Sequence, residues 1–273
     1  MISMGTVWDR TAEFLSDNLG MILPIALATI FVPAAISGNL TELQQGASPG
    51  LAFGLGLASL VLAVITFWGQ LAITALALDP ALGKGAARVA TRRLPAALLV
   101  TILLLLAMLV LMIPLAIILA VSGADMSGTA TGAVPAGPPV AGLWVGLYVL
   151  LLLPVLLWLA ARLAVVLPAI VADRLMLGAI SRSWRLTRGA ALKIVGVLLL
   201  YGIVATVAYL AATTAFGAII TLIAGREAGL SLASVLTVIV GGAVSTAFTV
   251  LGTAFVAKLY LALRARNEAA SAQ

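Results

Sequence analysis

The sequence predicts an all-α integral membrane protein built from six transmembrane helices. Three observations carry that reading. Of 273 residues, 63% are hydrophobic and 9% charged, against about 45–50% and about 25% in soluble globular chains. The mean hydropathy is +1.24. No soluble fold has an interior large enough to hide this much apolar surface, so the solvent must be lipid. Six apolar stretches reach or exceed the roughly 20 residues that a spanning helix needs. The third observation is that basic residues gather on alternate connecting segments.

The first span covers residues 19–37. It is preceded by Thr6-Val7-Trp8-Asp9, which reads as a capping box. From there Val7, Trp8, Ala12, Leu15 and Leu19 share one helical face, opposite Asp9, Arg10, Glu13 and Asp17. That pattern predicts an amphipathic helix lying in the membrane interface. It reads as a poor signal peptide, because Asp9, Glu13 and Asp17 precede the apolar stretch with no basic n-region ahead of it.

The second span covers 51–78 and the third 94–121. Between them Asp79-Pro80 supplies an N-cap and a proline at the first helical position. Lys84, Arg88 and Arg92 follow at four-residue steps, with Arg93 beside them. Residues 122–142 carry Gly, Ala, Pro, Ser and Thr with one charge, Asp125, a composition that cannot bury a core. The fourth span covers 143–172, the fifth 194–224 and the sixth 230–263. Before the fifth, Leu177, Ile180 and Trp184 share a face, and Arg182 and Arg185 point away from it. The inner segments therefore read as a threefold repeat: amphipathic helix, span, outer loop, span. Residues 1–273 form one polytopic membrane domain. Pro24, Pro33, Pro114, Pro154 and Pro168 fall in or near the spans, where neighbouring helices satisfy the freed carbonyls.

Charge sets the orientation. Thirteen of the 15 Lys and Arg lie on one set of segments: Arg10, Lys84, Arg88, Arg92, Arg93, Arg174, Arg182, Arg185, Arg188, Lys193, Lys258, Arg264 and Arg266. The alternate loops hold only Arg226, and Arg162 interrupts the fourth apolar run. Such a split marks the basic side as cytoplasmic, with both termini inside. It also accounts for the sequence pI near 10.3 without nucleic acid.

The chain contains no Cys and no His. Thiol nucleophiles, disulfides and His bases are thereby excluded, no metal site or cofactor is indicated, and no pair of acids lies deep in a span. The sequence reads as non-enzymatic.

The densest polar run is 162–193, with the skeleton Arg162, Pro168, Asp173, Ala179, Ser183-Trp184, Leu186-Thr187 and Gly189. It resembles the membrane domain associated with glycerophosphoryl diester phosphodiesterases and related bacterial six-span proteins. Val7-Trp8 leading into Leu23-Pro24 looks like the start of the same family. Asp173 departs from the pattern, which often has Glu there. The resemblance implies a multi-pass protein of the bacterial plasma (inner) membrane. It carries no hydrolytic activity over, because in fused members that belongs to a separate barrel using His.

Arg162 is the most informative single residue. In a helix continuous to Ala172 it would lie about 15 Å from the inner end and face protein or water, with Gln70 its best partner. In a span ending near Ala161 it would snorkel at the inner interface beside Trp158, four residues away and placed to stack on the guanidinium. Gln70 belongs to a small and polar face with Ser59, Ala63, Thr66, Thr74 and Ala77. A stripe of Thr237, Gly241, Ser245, Thr249, Thr253 and Ala257 predicts close helix packing, within the chain or against a second copy. The basic clusters at Lys84, Arg88, Arg92, Arg93, Arg182, Arg185 and Arg188 set topology and would meet anionic lipid. The function these features suggest is a membrane scaffold or anchor engaging anionic lipid or a protein partner at the cytoplasmic face. The competing reading is a transporter or channel for a small solute with a path near Arg162 and Gln70.

Overall fold

The computed structural model describes residues 3–44, 47–121, 139–224 and 232–271. The segment with Asp125 and the loop with Arg226 fall outside the described residues. The architecture is all-α. Helices α1 (Met4–Ala26) and α2 (Val32–Gln44) are joined through a π-helical turn, Leu27–Phe31. Helix α3 spans Pro49–Leu78 and α4 spans Gly85–Val121. Helix α5 (Pro139–Leu163) is followed by two short helices, α6 (Val166–Ala172) and α7 (Gly178–Leu186). The chain ends in α8 (Ala191–Ala224) and α9 (Leu232–Ser271).

Six helical stretches are long and apolar enough to cross a membrane: Met4–Leu40, Pro49–Leu78, Gly85–Val121, Gly142–Ala172, Ala191–Ile220 and Val235–Ala270. They follow one another around a ring in chain order. α2 packs on α3, α3 on α4, α4 on α5, α5 on α8 and α8 on α9, and α9 returns to α1 and α2. α3 and α9 also touch across the ring.

The buried core sits at the basic end. Every residue from Leu71 to Ala77 is at most 2% exposed, so the last two turns of α3 are enclosed on all sides. Around them lie Ala90 and Ala97 of α4, Ile170 of α6, Leu186 of α7, Ile194 of α8, and Leu259, Tyr260 and Leu263 of α9. At the other end the helices are bare: Phe53, Leu105, Leu109, Leu150 and Leu200 are each more than 60% exposed. In lipid such surface costs nothing, because acyl chains are as apolar as leucine. The lengths agree with this division. α4 has 37 residues and α9 has 40, roughly 55 and 60 Å at 1.5 Å per residue, against about 30 Å of hydrocarbon. The surplus is where the polar side chains and the packed core lie.

Three expectations change. The N-terminal segment makes no separate surface helix, because α1 runs unbroken into the first apolar stretch. Its buried face is Val7, Thr11, Phe14 and Ile22, while Ala12 and Leu19 are exposed. The cause is α9, against which Trp8 stacks at 4.4 Å from the Phe255 ring. Asp79 does cap a turn, its Oδ1 accepting from Ala81 N at 3.1 Å. That turn is only the 3₁₀ stretch Pro80–Leu82, ended by Gly83 at φ 49°. Arg88, Arg92 and Arg93 therefore lie on the first turns of α4 itself, after Lys84 in the connection. Only the third inner segment forms a short helix of its own, α7. It buries Ala179, Ser183 and Leu186 rather than Leu177 and Trp184.

One close approach fixes how the first two spans meet. A Cβ built on Gly69 of α3 would overlap Thr29 Oγ1 and lie 2.7 Å from Thr29 Cβ. Thr29 is in the π turn, its hydroxyl tied to Ile25 O at 2.7 Å. Pro33 follows that turn and has no N–H to continue an α-helical ladder, a usual cause of such a local change.

Candidate functional site

The polar residues of the 162–193 run meet at one joint. Pro168 is the third residue of α6 and has no N–H for the carbonyl four residues back, so the helix breaks ahead of it. α5 ends at Leu163, Val165 adopts φ −101°, ψ 19°, and α6 restarts at Val166. A break frees carbonyls, and a freed carbonyl in a packed region needs a donor. Ser183 Oγ donates to Arg162 O at 2.7 Å and Thr187 Oγ1 lies 3.5 Å from the same oxygen. Ser183 and Thr187 are fully buried. Ser183 is on α7 and Thr187, four residues on, is its C-cap residue, which places both hydroxyls on one side.

The side chain of Arg162 leaves the joint on its exposed side. Its Cζ is 5.2 Å from the centroid of Trp158 and 5.2 Å from that of Trp184. The two indoles meet edge to face, 5.0 Å apart at 88°. Arg162 Nη1 donates to Trp184 O at 3.2 Å, and Nε is buried without a partner. An orphaned buried donor costs about 1–3 kcal/mol. The two cation–π contacts offset part of this at about 0.5–2 kcal/mol each.

Asp173 follows α6 as its C-cap residue. Its carboxylate accepts from Arg182 Nε at 3.0 Å and lies 3.9 Å from Arg264 Nη1. Arg174 beside it has φ 56°, and Gly189 after α7 has φ 77°. The glycine lets the chain leave α7 and enter α8 without the steric penalty a Cβ would bring.

The structure thus brings Arg162, Trp158, Pro168, Asp173, Ser183, Trp184, Thr187 and Gly189 into one region. Gln70 is not part of it. Arg162 turns to Trp158 and Trp184, while the carbonyl of half-buried Gln70 accepts from Thr74 Oγ1 at 2.7 Å. The break before Pro168 is the reason, since it ends α5 one residue after Arg162. Arg88, Arg92, Arg185 and Arg188 are exposed, and Arg93 and Arg182 are half-buried.

The small-residue stripe on α9 divides. Gly241 packs on α8, where a Cβ would meet Tyr209 and Thr213 at 3.0 Å. Ser245 is exposed. Thr249 and Thr253 line a largely apolar cavity of about 330 Å³ with Thr74, Pro168, Tyr201 and Phe248. Their hydroxyls bond their own helix, at 2.8 and 2.7 Å, as Thr commonly does in spans.

Two cations on α9 do more than mark topology. Lys258 Nζ donates to Ala77 O at 2.8 Å, at the end of α3. Arg266 Nη2 donates to Leu186 O and Arg188 O, both at 3.0 Å, at the end of α7. Helix C-termini leave carbonyls unsatisfied and carry partial negative charge, so each cation answers both needs. Lys258 carries the signal that made Arg162 stand out, a lone charge inside an apolar run. Sequence reasoning counted it only toward orientation.

These features define a polytopic, all-α membrane protein. No protein-family model, curated protein or solved structure matches the chain, and no family is identified for it.

Proposed function

We propose that this protein is a non-enzymatic scaffold of the bacterial plasma membrane whose basic end faces the cytoplasm and holds anionic lipid at the Trp158–Arg162–Trp184 joint. The observation that supports this is the placement of the Arg162 guanidinium. It lies at the end of a 19-residue apolar run, 143–161, about the length that spans the hydrocarbon. It is clasped by two tryptophans that are 41% and 36% exposed, residues that favour the head-group level. A guanidinium has five donors, and among the described residues only Nη1 has a protein acceptor, which leaves others for a lipid phosphate. In this reading α7 rests in the interface. Met176, Leu177 and Trp184 enter lipid, and exposed Arg185 and Arg188 add attraction of about 1 kcal/mol each.

A solute path past Gln70 is the competing reading, and the enclosed stretch from Leu71 to Ala77 argues against it. The test is native mass spectrometry of the purified full chain with phosphatidylglycerol added back after delipidation. Wild type should retain the anionic lipid and Arg162→Leu should lose most of it. Equal retention by both would sink the proposal.

A further inference from the structure

We propose that the cleft between α1 and α9 at the basic end binds the head group of an aminophospholipid, a phosphate joined to a primary ammonium. This site is separate from the Arg162 joint and takes a different head group.

The cleft measures about 400 Å³, within the roughly 300–1,000 Å³ of small-molecule sites. One wall is a stripe of α1 carrying Arg10, Glu13 and Asp17, spaced by three and four residues and so on one face. Lys258 of α9 lies across from it. Its Nζ sits 4.5 Å from the centroid of the buried Phe14 ring and gives one hydrogen bond, to Ala77 O. An ammonium has three donors, so two remain for a ligand.

Asp173 pairs with Arg182 and Arg264, and Arg264 with Glu268. Among the described residues no ion pair engages Arg10, Glu13, Asp17 or Lys258. Two cations and two carboxylates therefore surround one cavity. A simple anion entering it would meet Glu13 and Asp17, and a simple cation would meet Arg10 and Lys258. A ligand bearing both signs satisfies all four. The oxyanion belongs on Lys258 and Arg10, where charge-assisted hydrogen bonds replace lost water. The ammonium belongs between Glu13 and Asp17.

The surroundings select a lipid over a free zwitterion. One and two turns beyond Asp17 on the same face of α1, Met21 is 39% exposed and Pro24 is exposed. An acyl chain attached to the bound head group would run along them.

The experiment is a native mass spectrometry titration of the delipidated full chain with phosphatidylethanolamine, phosphatidylcholine or phosphatidylglycerol. Phosphatidylethanolamine should be retained at least about fivefold more strongly than phosphatidylcholine, whose methylated nitrogen has no N–H to give the carboxylates. The exposed double variant Glu13→Gln, Asp17→Asn should erase that preference. Lys258→Met should weaken both lipids. If its loss from the end of α3 unfolds the protein, the double variant still decides. Equal retention of the two lipids by wild type, or a preference that survives the double variant, would overturn the proposal. So would displacement by equimolar free phosphoethanolamine, which would make the cleft a site for a soluble zwitterion. Arg162→Leu should leave the preference intact, so this result and the phosphatidylglycerol result at the joint are read separately.

Discussion

The hydroxyl of Ser183 donates to the carbonyl oxygen of Arg162 at 2.7 Å, joining α7 to the end of α5 across 21 residues of sequence. This bond explains why a serine is buried on the inner face of a short, strongly basic helix. Arg162 O stands at the break that Pro168 forces, and Ser183 brings it the donor.

Ser183→Ala should therefore destabilise the protein by about 1–3 kcal/mol, the range for a buried hydrogen bond whose acceptor is left behind. Thr187 is 3.5 Å from the same oxygen and would take over part of the role. Ser183→Ala with Thr187→Val should then cost more than the sum of the singles. Thermal unfolding in detergent, read by tryptophan fluorescence, measures all three. A neutral double variant would mean that the joint is held by packing alone.

The spans and the basic segments were legible because lipid demands long apolar helices and charge obeys a simple rule. The joint was half legible. Arg162, Trp158 and the pattern down to Gly189 stand out, and the apolar run leaves two places open for Arg162, beside Gln70 in a continuous helix or beside Trp158 at the end of the span. The helix break at Ala164 and Val165 favours the second. A proline three residues into a new helix signals such a break, and the apolar run around Pro168 hid it. The face of α1 was misread for another reason. Phe14 and Thr11 turn inward because α9 approaches from their side, and no local periodicity encodes where a helix some 240 residues later will pack.

Gly69→Ala should destabilise the first helix pair by about 1–3 kcal/mol, the usual cost of overpacking. The new Cβ would overlap Thr29 Oγ1 and crowd Thr29 Cβ at 2.7 Å. Thr29→Ala in the same chain removes only the first conflict, so rescue should be partial. Full rescue would mean that α3 and the π turn are free to separate.

Asp173→Asn keeps the size of the side chain and removes its charge. Both partners in the Asp173–Arg182 pair retain solvent contact, at 18% and 25% exposure. The expected loss is modest, about 0.5–2 kcal/mol, and should shrink in high salt. A larger loss that ignores salt would point to the buried Tyr260 below the pair as the group that suffers.

Orientation is a separate prediction. Reporter fusions at Thr91 and after Gln273 should read as cytoplasmic, and one at Ser127 as external. An external C-terminus with Thr91 still internal would require an odd number of crossings, and an external C-terminus with Thr91 external as well would turn the whole basic end outward.

The last prediction concerns what holds Arg162. Its guanidinium is equidistant from two indoles, at 5.2 Å from each, and one of them also offers a backbone acceptor at 3.2 Å. Arg162→Met keeps an unbranched side chain that packs between rings but removes the charge. Trp184→Leu removes one ring and leaves the carbonyl. A double-mutant cycle on the pair should give a coupling of about 0.5–2 kcal/mol, the range for a cation–π contact from exposed to desolvated. The same cycle between Arg162 and Gln70 should be additive within about 0.5 kcal/mol, because the two side chains do not meet. The Trp184 coupling should also fall when the ring is kept and the charge is already gone, so Arg162→Met with Trp184→Phe should match the sum of the singles closely. Coupling to Gln70 instead would mean that α5 runs unbroken past Arg162 in the membrane, and that Ser183 and Thr187 have lost the carbonyl they serve.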